Sequence, residues 1–202
     1  MAKPMEYDKL DLVEHKSKLV PTSVKSNVSD LPTDSFKVFH INMRSFVHKM
    51  HLFEFLLCQL DVEFSCIVIF ETWFSDEEYF PKYFLESYTL FCSSRPEGGG
   101  GGICIYMSDK LEASATVARL AGAEAMTVRI GCRGCVVSSV VAVYRTPSVG
   151  PSDFLVDLGA FLPSLPPNSM VVGDLNFDLN PDNEIDHHSL EFFEDHELQW
   201  IL

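Results

Sequence analysis

Long apolar runs and targeting signals are absent from this 202-residue sequence. No stretch reaches the roughly 18 consecutive apolar residues that a membrane-spanning helix needs. Residues 1–11 carry too many charged side chains for a signal peptide. We therefore expect a soluble, intracellular protein that has no membrane partner.

Basic residues are also scarce. Lysine and arginine total 15 against 29 aspartate and glutamate residues, which gives a formal net charge of −14. This balance argues against a broad basic face for nucleic acid, because neutralising phosphates needs an excess of Lys and Arg. A metal-dependent site stays compatible with it, since clustered carboxylates bind Mg²⁺ and the ion then meets the phosphate.

Only one segment has a composition that indicates disorder. The chain as a whole is 47% hydrophobic and 12% aromatic, which is typical of a globular protein, and its length suits one domain. Residues 1–35 mix charged, polar and proline residues without a sustained apolar period. We expect a disordered segment at 1–35 and a single domain at 36–202.

Short apolar runs alternate with helical patterns from residue 36 onward, which predicts an α/β domain. Two apolar stripes at helical spacing predict helices over 52–60 and 154–165, and a third helix is expected from Ser189 onward. Several runs are apolar at consecutive positions, as in strands buried on both faces. The strand candidates are 36–41, 66–70, 102–107, 125–130, 136–144 and 170–172.

Three motifs have the spacing of a phosphate or metal site but favour plainer interpretations. The glycines at 98–102 lack the Lys and Ser/Thr of a P-loop, so a flexible turn is favoured. Cys132 and Cys135 have C-x-x-C spacing without further ligands nearby, which favours a hairpin turn. His187 and His188 are adjacent, so they cannot point at one metal from a regular helix or strand, and a solvated loop is favoured. The six cysteines are expected to be buried thiols: Cys58, Cys66, Cys92, Cys104, Cys132 and Cys135.

Polar clusters follow four of the strand candidates, at the point where each ends. Taken singly each has a plain explanation: Glu71 caps a loop, Asp174 and Asn176 form a turn, and Tyr144 is a core residue with a wet hydroxyl. Taken together they suit phosphodiester hydrolysis, because they supply two carboxylates, two amides, an arginine and a phenol. The clusters are Asn42, Glu71, Tyr144 with Arg145, and Asp174 with Asn176.

Five segments in order resemble the endonuclease/exonuclease/phosphatase superfamily, and in particular the nucleases of non-LTR retrotransposons. The resemblance spans about 36–202, and its motifs are specific as a set although each is weak alone. The segments are Phe39-His40-Ile41-Asn42-Met43-Arg44-Ser45, Glu71-Thr72-Trp73-Phe74, Arg95 with the glycines of 98–102, Tyr144-Arg145-Thr146-Pro147 and Gly173-Asp174-Leu175-Asn176.

The resemblance implies a DNase I-like fold, a four-layered sandwich of two mixed β-sheets flanked by helices. It implies that Glu71 binds Mg²⁺ or Mn²⁺ and that Asn42 helps to position the metal or its water. It further implies that Tyr144 approaches the scissile phosphate, that Asp174 orients or activates the attacking water, and that Asn176 holds a phosphate oxygen.

Arg44 and Arg145 lie beside motif residues, and position alone suggests that they contact the substrate phosphate. Either is equally compatible with a surface arginine.

The sequence departs from the superfamily pattern after Gly173-Asp174-Leu175-Asn176. The later Asp and the closing S-D-H motif of the superfamily have no counterpart here. This departure leads us to expect a C-terminally incomplete domain that lacks its last strands and cleaves DNA poorly. Asp195 and His196 offer an Asp-His pair, but a helix is the wrong setting for that motif.

The function that the resemblance implies is a DNA-nicking endonuclease of a LINE-type retrotransposon. Such a protein would act on DNA in the nucleus, with a reverse transcriptase domain or partner of the same element. Two alternatives stay open: a superfamily member that acts on another phosphoester, such as a phospholipid, an inositol phosphate or poly(A), and a non-enzymatic remnant of the fold.

Overall fold

The structure is a computed structural model that describes residues 35–74, 82–93, 101–132, 135–177 and 184–196. The segment predicted to be disordered, apart from Ser35, lies outside these residues. No helix among them is long and apolar enough to cross a membrane.

The first sheet has strand order β1-β2-β4-β3. Strands β1 and β2 run parallel, and the other two pairs are antiparallel. All positions of β2 and β4 are buried, as expected for continuous apolar runs covered on both faces. The strands are β1 Val38–Asn42, β2 Cys66–Phe70, β3 Tyr88–Ser93 and β4 Ile103–Ser108.

The second sheet has strand order β5-β6-β7-β8. Strands β7 and β8 are parallel, whereas β5, β6 and β7 form an antiparallel meander. Both sheets are therefore mixed. The strands are β5 Glu112–Leu120, β6 Ala123–Cys132, β7 Cys135–Arg145 and β8 Met170–Asp174.

The two sheets pack face to face, and one helix layer covers the outer face of each. Alternate residues of β2 and β4, such as Val68 and Ile105, meet Val128 and Ala142 of the second sheet in the central core. The helices are α1 Met50–Leu60, α2 Pro151–Phe161 and α3 Glu184–Asp195, with short 3-10 turns at Phe46–His48 and Leu162–Ser164.

Helix packing follows the apolar stripes of the sequence. Phe53 and Leu56 of α1 pack with Ile67 and Ile69 on the outer face of the first sheet. Phe154, Leu155 and Leu158 of α2 pack on Val141 and Val143, and Phe193 of α3 joins that cluster. The expected order of helix, sheet, sheet and helix is confirmed.

Several sequence expectations need correction. Strands β3 and β5 were not expected, and α3 begins at Glu184 instead of near Ser189. His187 and His188 lie within that helix, so the loop expected for them is wrong. Cys58 and Cys135 are exposed rather than buried. The expected hairpin is present, since Cys132 pairs with Cys135 across β6 and β7.

Candidate active site

The polar residues that follow the strands converge where the carboxyl ends of two parallel strand pairs meet. Asn42 pairs with Phe70 at the end of β1 and β2, and Glu71 follows directly. In the other sheet, Tyr144 of β7 pairs with Asp174 of β8. Parallel strands deliver the residues at their ends to one edge, and the face-to-face sheets bring the two edges together.

Asn42 joins the two carboxylates. Its Nδ2 donates to Glu71 Oε1 at 2.8 Å and to Asp174 Oδ2 at 2.9 Å, although Asp174 lies 132 positions away in the chain. The two acceptor oxygens are thus no further apart than the two bond lengths combined. One amide group holds two like charges side by side, an arrangement that favours a cation between or beside them.

Tyr144 adds a second donor to Glu71. Its hydroxyl donates to Glu71 Oε1 at 3.2 Å, and its ring stacks on Phe70 with centroids 6.5 Å apart. Burial, together with the nearby charge of Glu71, raises the pKa of Tyr144 to about 12. The phenol is therefore a protonated hydrogen-bond donor at neutral pH and not a base.

The loops that carry these residues contain left-handed backbone. Arg44 has φ 41°, Ser45 74°, Glu71 55°, Trp73 59° and Asn176 49°. Non-glycine residues seldom adopt such values, and they persist where the surrounding contacts fix them, often at functional sites. Here Arg44, Trp73 and Asn176 each lie two positions from Asn42, Glu71 or Asp174, and Ser45 lies three positions from Asn42.

Backbone hydrogen bonds hold the Glu71 loop. Ser45 N–H donates to the Glu71 carbonyl at 2.8 Å, and Trp73 N–H donates to the Gly101 carbonyl at 3.0 Å. Gly102 has φ 89°, and a Cβ there would lie 2.4 Å from Thr72 Oγ1. Gly101 and Gly102, the last two glycines of the turn expected at 98–102, therefore pack closely against the Glu71 loop and support its backbone. Arg95 and residues 98–100 lie outside the described residues.

Arg145 does not fit the phosphate contact that its position suggested. It is 5% exposed, and its Nε and Nη2 donate to the carbonyls of Leu175 and Asn176 at 2.6 and 2.5 Å. Its Nη1 donates to the Val149 carbonyl. The guanidinium therefore binds backbone carbonyls, two of them in the loop after Asp174, and so holds that loop in place.

We expect Arg145→Lys to destabilise the protein by about 2 kcal/mol, because an ammonium cannot reproduce a planar fork with three carbonyl acceptors. Urea denaturation followed by circular dichroism measures this. Arg44→Lys is the matched control and is expected to leave the free energy of unfolding within about 0.5 kcal/mol, since its side chain is 81% exposed. Equal losses in both variants would contradict the role of Arg145 in supporting the loop.

Arg44 and Asn176 lie on the open side of the site. Arg44 Nε is 3.9 Å from Glu71 Oε2, so its exposed guanidinium can swing to a phosphate. Asn176 is exposed, its backbone N–H donates to Asp174 Oδ1 at 3.4 Å, and its Nδ2 donates to the Arg145 carbonyl at 2.7 Å. Its second amide hydrogen stays available to a substrate oxygen.

The donor set suits a hard divalent cation. Glu71 Oε1 is occupied by Asn42 and Tyr144, which leaves Oε2 for an ion. Within the described part of the chain, no three His, Cys, Asp or Glu residues cluster as metal ligands. Two neighbouring carboxylates are the kind of oxygen ligands that would suit Mg²⁺.

His196 belongs to a different part of the fold. Its ring Nδ1 contacts the Phe192 carbonyl at 2.8 Å, and the ring lies against that of Phe192 with centroids 4.1 Å apart and a tilt of 30°. A Cβ at Gly159 of α2 would lie 3.2 Å from its Nε2. His196 thus packs between α3 and α2.

Two residues of the site went unassigned in the sequence. Lys49 Nζ donates to the carbonyls of Met43 and Arg44 at 2.7 and 2.8 Å and so holds the Arg44 turn. Trp73 is 44% exposed between Thr72 and Phe74, which are buried. The one available signal for Trp73 was a large aromatic residue two positions after Glu71.

We expect Tyr144→Phe to slow any phosphoester cleavage at this site by roughly 10-fold to 10²-fold, as for loss of one hydrogen bond to a charged group. Because the phenol pKa is raised to about 12, the donor is present at any pH below that value. The ratio of wild-type to variant rates should therefore stay constant from about pH 6 to about pH 10. A ratio that changes within this range would contradict the donor role.

Comparison with known proteins gives structural neighbours only. No protein-family model and no curated protein matches the chain. The AP endonuclease LMAP from Leishmania major matches with TM-score 0.58 and 15% identity over 94% of this chain and 78% of its own. The chain has the DNase I-like fold.

Two further neighbours agree with this assignment. An AP endonuclease from Archaeoglobus fulgidus matches with TM-score 0.56 and 14% identity over 80% of this chain and 71% of its own. The human Nocturnin catalytic domain matches with TM-score 0.55 and 14% identity over 75% of this chain and 66% of its own. The neighbours are members of the endonuclease/exonuclease/phosphatase superfamily.

Proposed function

We propose that this chain is a divalent-metal-dependent phosphodiesterase that nicks DNA, of the type found in non-LTR retrotransposons. The observation that carries the proposal is the bridge from Asn42 to both Glu71 and Asp174. This bridge brings together two groups that hydrolysis of a phosphodiester needs, a carboxylate that can hold a cation and a second carboxylate beside it. The two groups come from the ends of strands in different sheets. The AP endonucleases with this fold support the reaction class.

Each residue has a distinct part in the proposed reaction. Bound Mg²⁺ or Mn²⁺ would supply Lewis-acid polarisation of a phosphoryl oxygen. Glu71 would hold that ion with its carboxylate. Asp174 orients the attacking water and accepts its proton at a carboxylate oxygen. Asn42 fixes the separation of the two carboxylates.

The remaining groups act around the phosphate. Asn176 presents a free amide hydrogen from the loop after β8, and Arg44 approaches from the solvent side. Tyr144 holds Glu71 through its hydroxyl, and it would donate to the phosphate by exchanging that bond. Donors that are already oriented towards the developing negative charge supply a large part of catalysis in such sites. Arg145 contributes by holding the backbone of Leu175 and Asn176 in place.

Trp73 favours a nucleic acid over other phosphoesters. An exposed indole on a fixed loop two residues from Glu71 offers a flat surface on which an unpaired base can stack. A phospholipid or inositol phosphate has no such face. Stacking also offsets the scarcity of basic residues, since it adds affinity without charge.

A substrate panel tests the proposal. Supercoiled plasmid, poly(A), an inositol polyphosphate and phospholipid vesicles are incubated with protein in excess, with Mg²⁺, with Mn²⁺ or with chelator. Excess protein gives single-turnover conditions, so that slow cleavage is still detected. We expect plasmid nicking with either metal and none with chelator. Turnover of another substrate alone would redirect the assignment, and none at all would favour a non-enzymatic fold.

We expect Trp73→Ala to weaken binding of a single-stranded oligonucleotide by roughly 5-fold to 150-fold, as for loss of one base–aromatic stack. Fluorescence anisotropy without metal measures this separately from cleavage. Phe84→Ala is the matched control, because Phe84 is an aromatic residue that is 67% exposed and has no place in the site. Equal weakening in both variants would contradict stacking at Trp73.

The proposal also includes a nuclear location and a reverse transcriptase domain or partner, as for a protein that a retrotransposon encodes. Both follow from the retrotransposon-type motifs Glu71-Thr72-Trp73 and Tyr144-Arg145-Thr146-Pro147. Co-purification of reverse transcriptase activity with the tagged chain from its source cells tests the partner.

A further inference from the structure

Two cysteines outside the active site lie directly opposite each other in the first sheet. Cys92 of β3 pairs with Cys104 of β4 in antiparallel register, and their Sγ atoms are 2.8 Å apart, with Cys104 as the donor. Both are free thiols. We propose that Cys92 and Cys104 form a dithiol site that small-molecule disulfides oxidise to an intramolecular disulfide.

The backbone geometry already suits the bond. Residues directly opposite in antiparallel strands have Cα atoms about 4.5 or 5.5 Å apart, depending on the type of pair. Both separations lie within the range of about 4.4 to 6.8 Å found in disulfides. The sulfurs need to approach by less than about 1 Å to reach bonding distance. The strands therefore need no new register to form the bridge.

The two thiols differ in access, which sets the order of events. β3 is the terminal strand of its sheet in the described structure, and Cys92 is half-buried, whereas Cys104 is fully buried. Burial raises the pKa of the Cys104 thiol well above its usual value. A reagent therefore meets Cys92 first, and Cys104 is placed to resolve the product.

The reaction balances with the named oxidant. Cys92, as thiolate, attacks one sulfur of the small disulfide and releases one small thiol, which takes up the proton that Cys92 lost. Cys104 then attacks the Cys92 sulfur of this mixed disulfide and releases the second small thiol, which takes up the proton of Cys104. The protein loses two hydrogen atoms, and the small disulfide is reduced to two thiols.

The site adjoins the active-site support without being part of it. Cys104 follows Gly102 by two residues, and Gly101 and Gly102 accept hydrogen bonds from Trp73 and Thr72. Linking β3 to β4 would restrain this end of β4. Because a disulfide restricts the unfolded chain, the oxidised protein should melt at a higher temperature than the reduced one.

Oxidation by glutathione disulfide tests the proposal in a background with Cys58→Ser, Cys132→Ser and Cys135→Ser, which removes the thiols that are exposed among the described residues, Cys58 and Cys135, together with Cys132. Intact mass and peptide mapping under native conditions follow the products. We expect loss of two hydrogen atoms, a Cys92–Cys104 cross-linked peptide, reversal by dithiothreitol, and a melting temperature raised by roughly 5 to 10 °C.

Single variants in the same background separate the two thiols. Cys104→Ser should stop at one glutathione on Cys92, and Cys92→Ser should react at least about 10-fold more slowly, because Cys104 is buried. A stable glutathione adduct in the background protein, a bridge that involves Cys66, equal rates for both variants, or an unchanged or lowered melting temperature would each overturn the proposal.

Discussion

Asp174→Asn is expected to slow DNA nicking by about 10²-fold to 10⁴-fold, the range for removal of a positioned general base. Asparagine keeps the shape of the side chain but cannot take a proton from water. It also replaces a charged acceptor of the Asn42 amide by a neutral one. Single-turnover nicking of supercoiled plasmid at saturating Mg²⁺ measures the change.

The matched control is Asp195→Asn. Asp195 is an exposed carboxylate at the end of α3, so its loss should change the rate by less than about 2-fold. The melting temperatures of both variants are compared with that of the wild type, to separate lost chemistry from lost folding. A nicking rate for Asp174→Asn near that of the wild type would contradict the role of Asp174 as the base. A slow Asp195→Asn variant would indicate that α3 contributes to the reaction.

Glu71→Gln is expected to weaken Mg²⁺ or Mn²⁺ binding by at least about 10-fold and to slow nicking by roughly 10²-fold, since a Lewis-acid contribution of several kcal/mol depends on the ion. The substitution removes a charge from Oε2, the oxygen left open by Asn42 and Tyr144. Calorimetric titration with Mn²⁺ measures the affinity, and nicking at high Mn²⁺ shows how much of the rate returns.

Two controls accompany this variant. Glu194→Gln removes an exposed carboxylate from α3, and Cys132→Ser alters the β6–β7 hairpin. Both should bind Mn²⁺ as the wild type does. Weaker Mn²⁺ binding by Cys132→Ser would indicate a cysteine metal site. Unchanged Mn²⁺ binding by Glu71→Gln would show that Glu71 is not a metal ligand.

Continuous apolar runs made much of the fold predictable. The strand expected at 66–70 has the observed bounds of β2, because five consecutive apolar residues cannot alternate between core and solvent. The strands missed have the opposite character. β5 mixes small, polar and charged residues at the edge of its sheet, and β3 is an edge strand with one exposed position and no fully buried one. Edge strands need less apolar surface, so their pattern is weak.

The site was predictable in its members but not in its contacts. Strand-end position and motif order identified Asn42, Glu71, Tyr144, Asp174 and Asn176, which the structure places in one region. The bridging role of Asn42 depends on contacts across the two sheets, which local pattern does not encode. Arg145 illustrates the same limit, because an arginine beside a motif has the same sequence signature whether it faces substrate or loop carbonyls.

Glu71, which directly follows β2, and Asp174, the last residue of β8 in the other sheet, are expected to act as one site. Single-turnover nicking rates of the wild type, Glu71→Gln, Asp174→Asn and the double variant, at one Mg²⁺ concentration, test it most directly. Residues that act as a unit are strongly non-additive. We expect the double variant to nick no more slowly than the slower single variant, within about 3-fold. Losses that multiply in the double variant would contradict it.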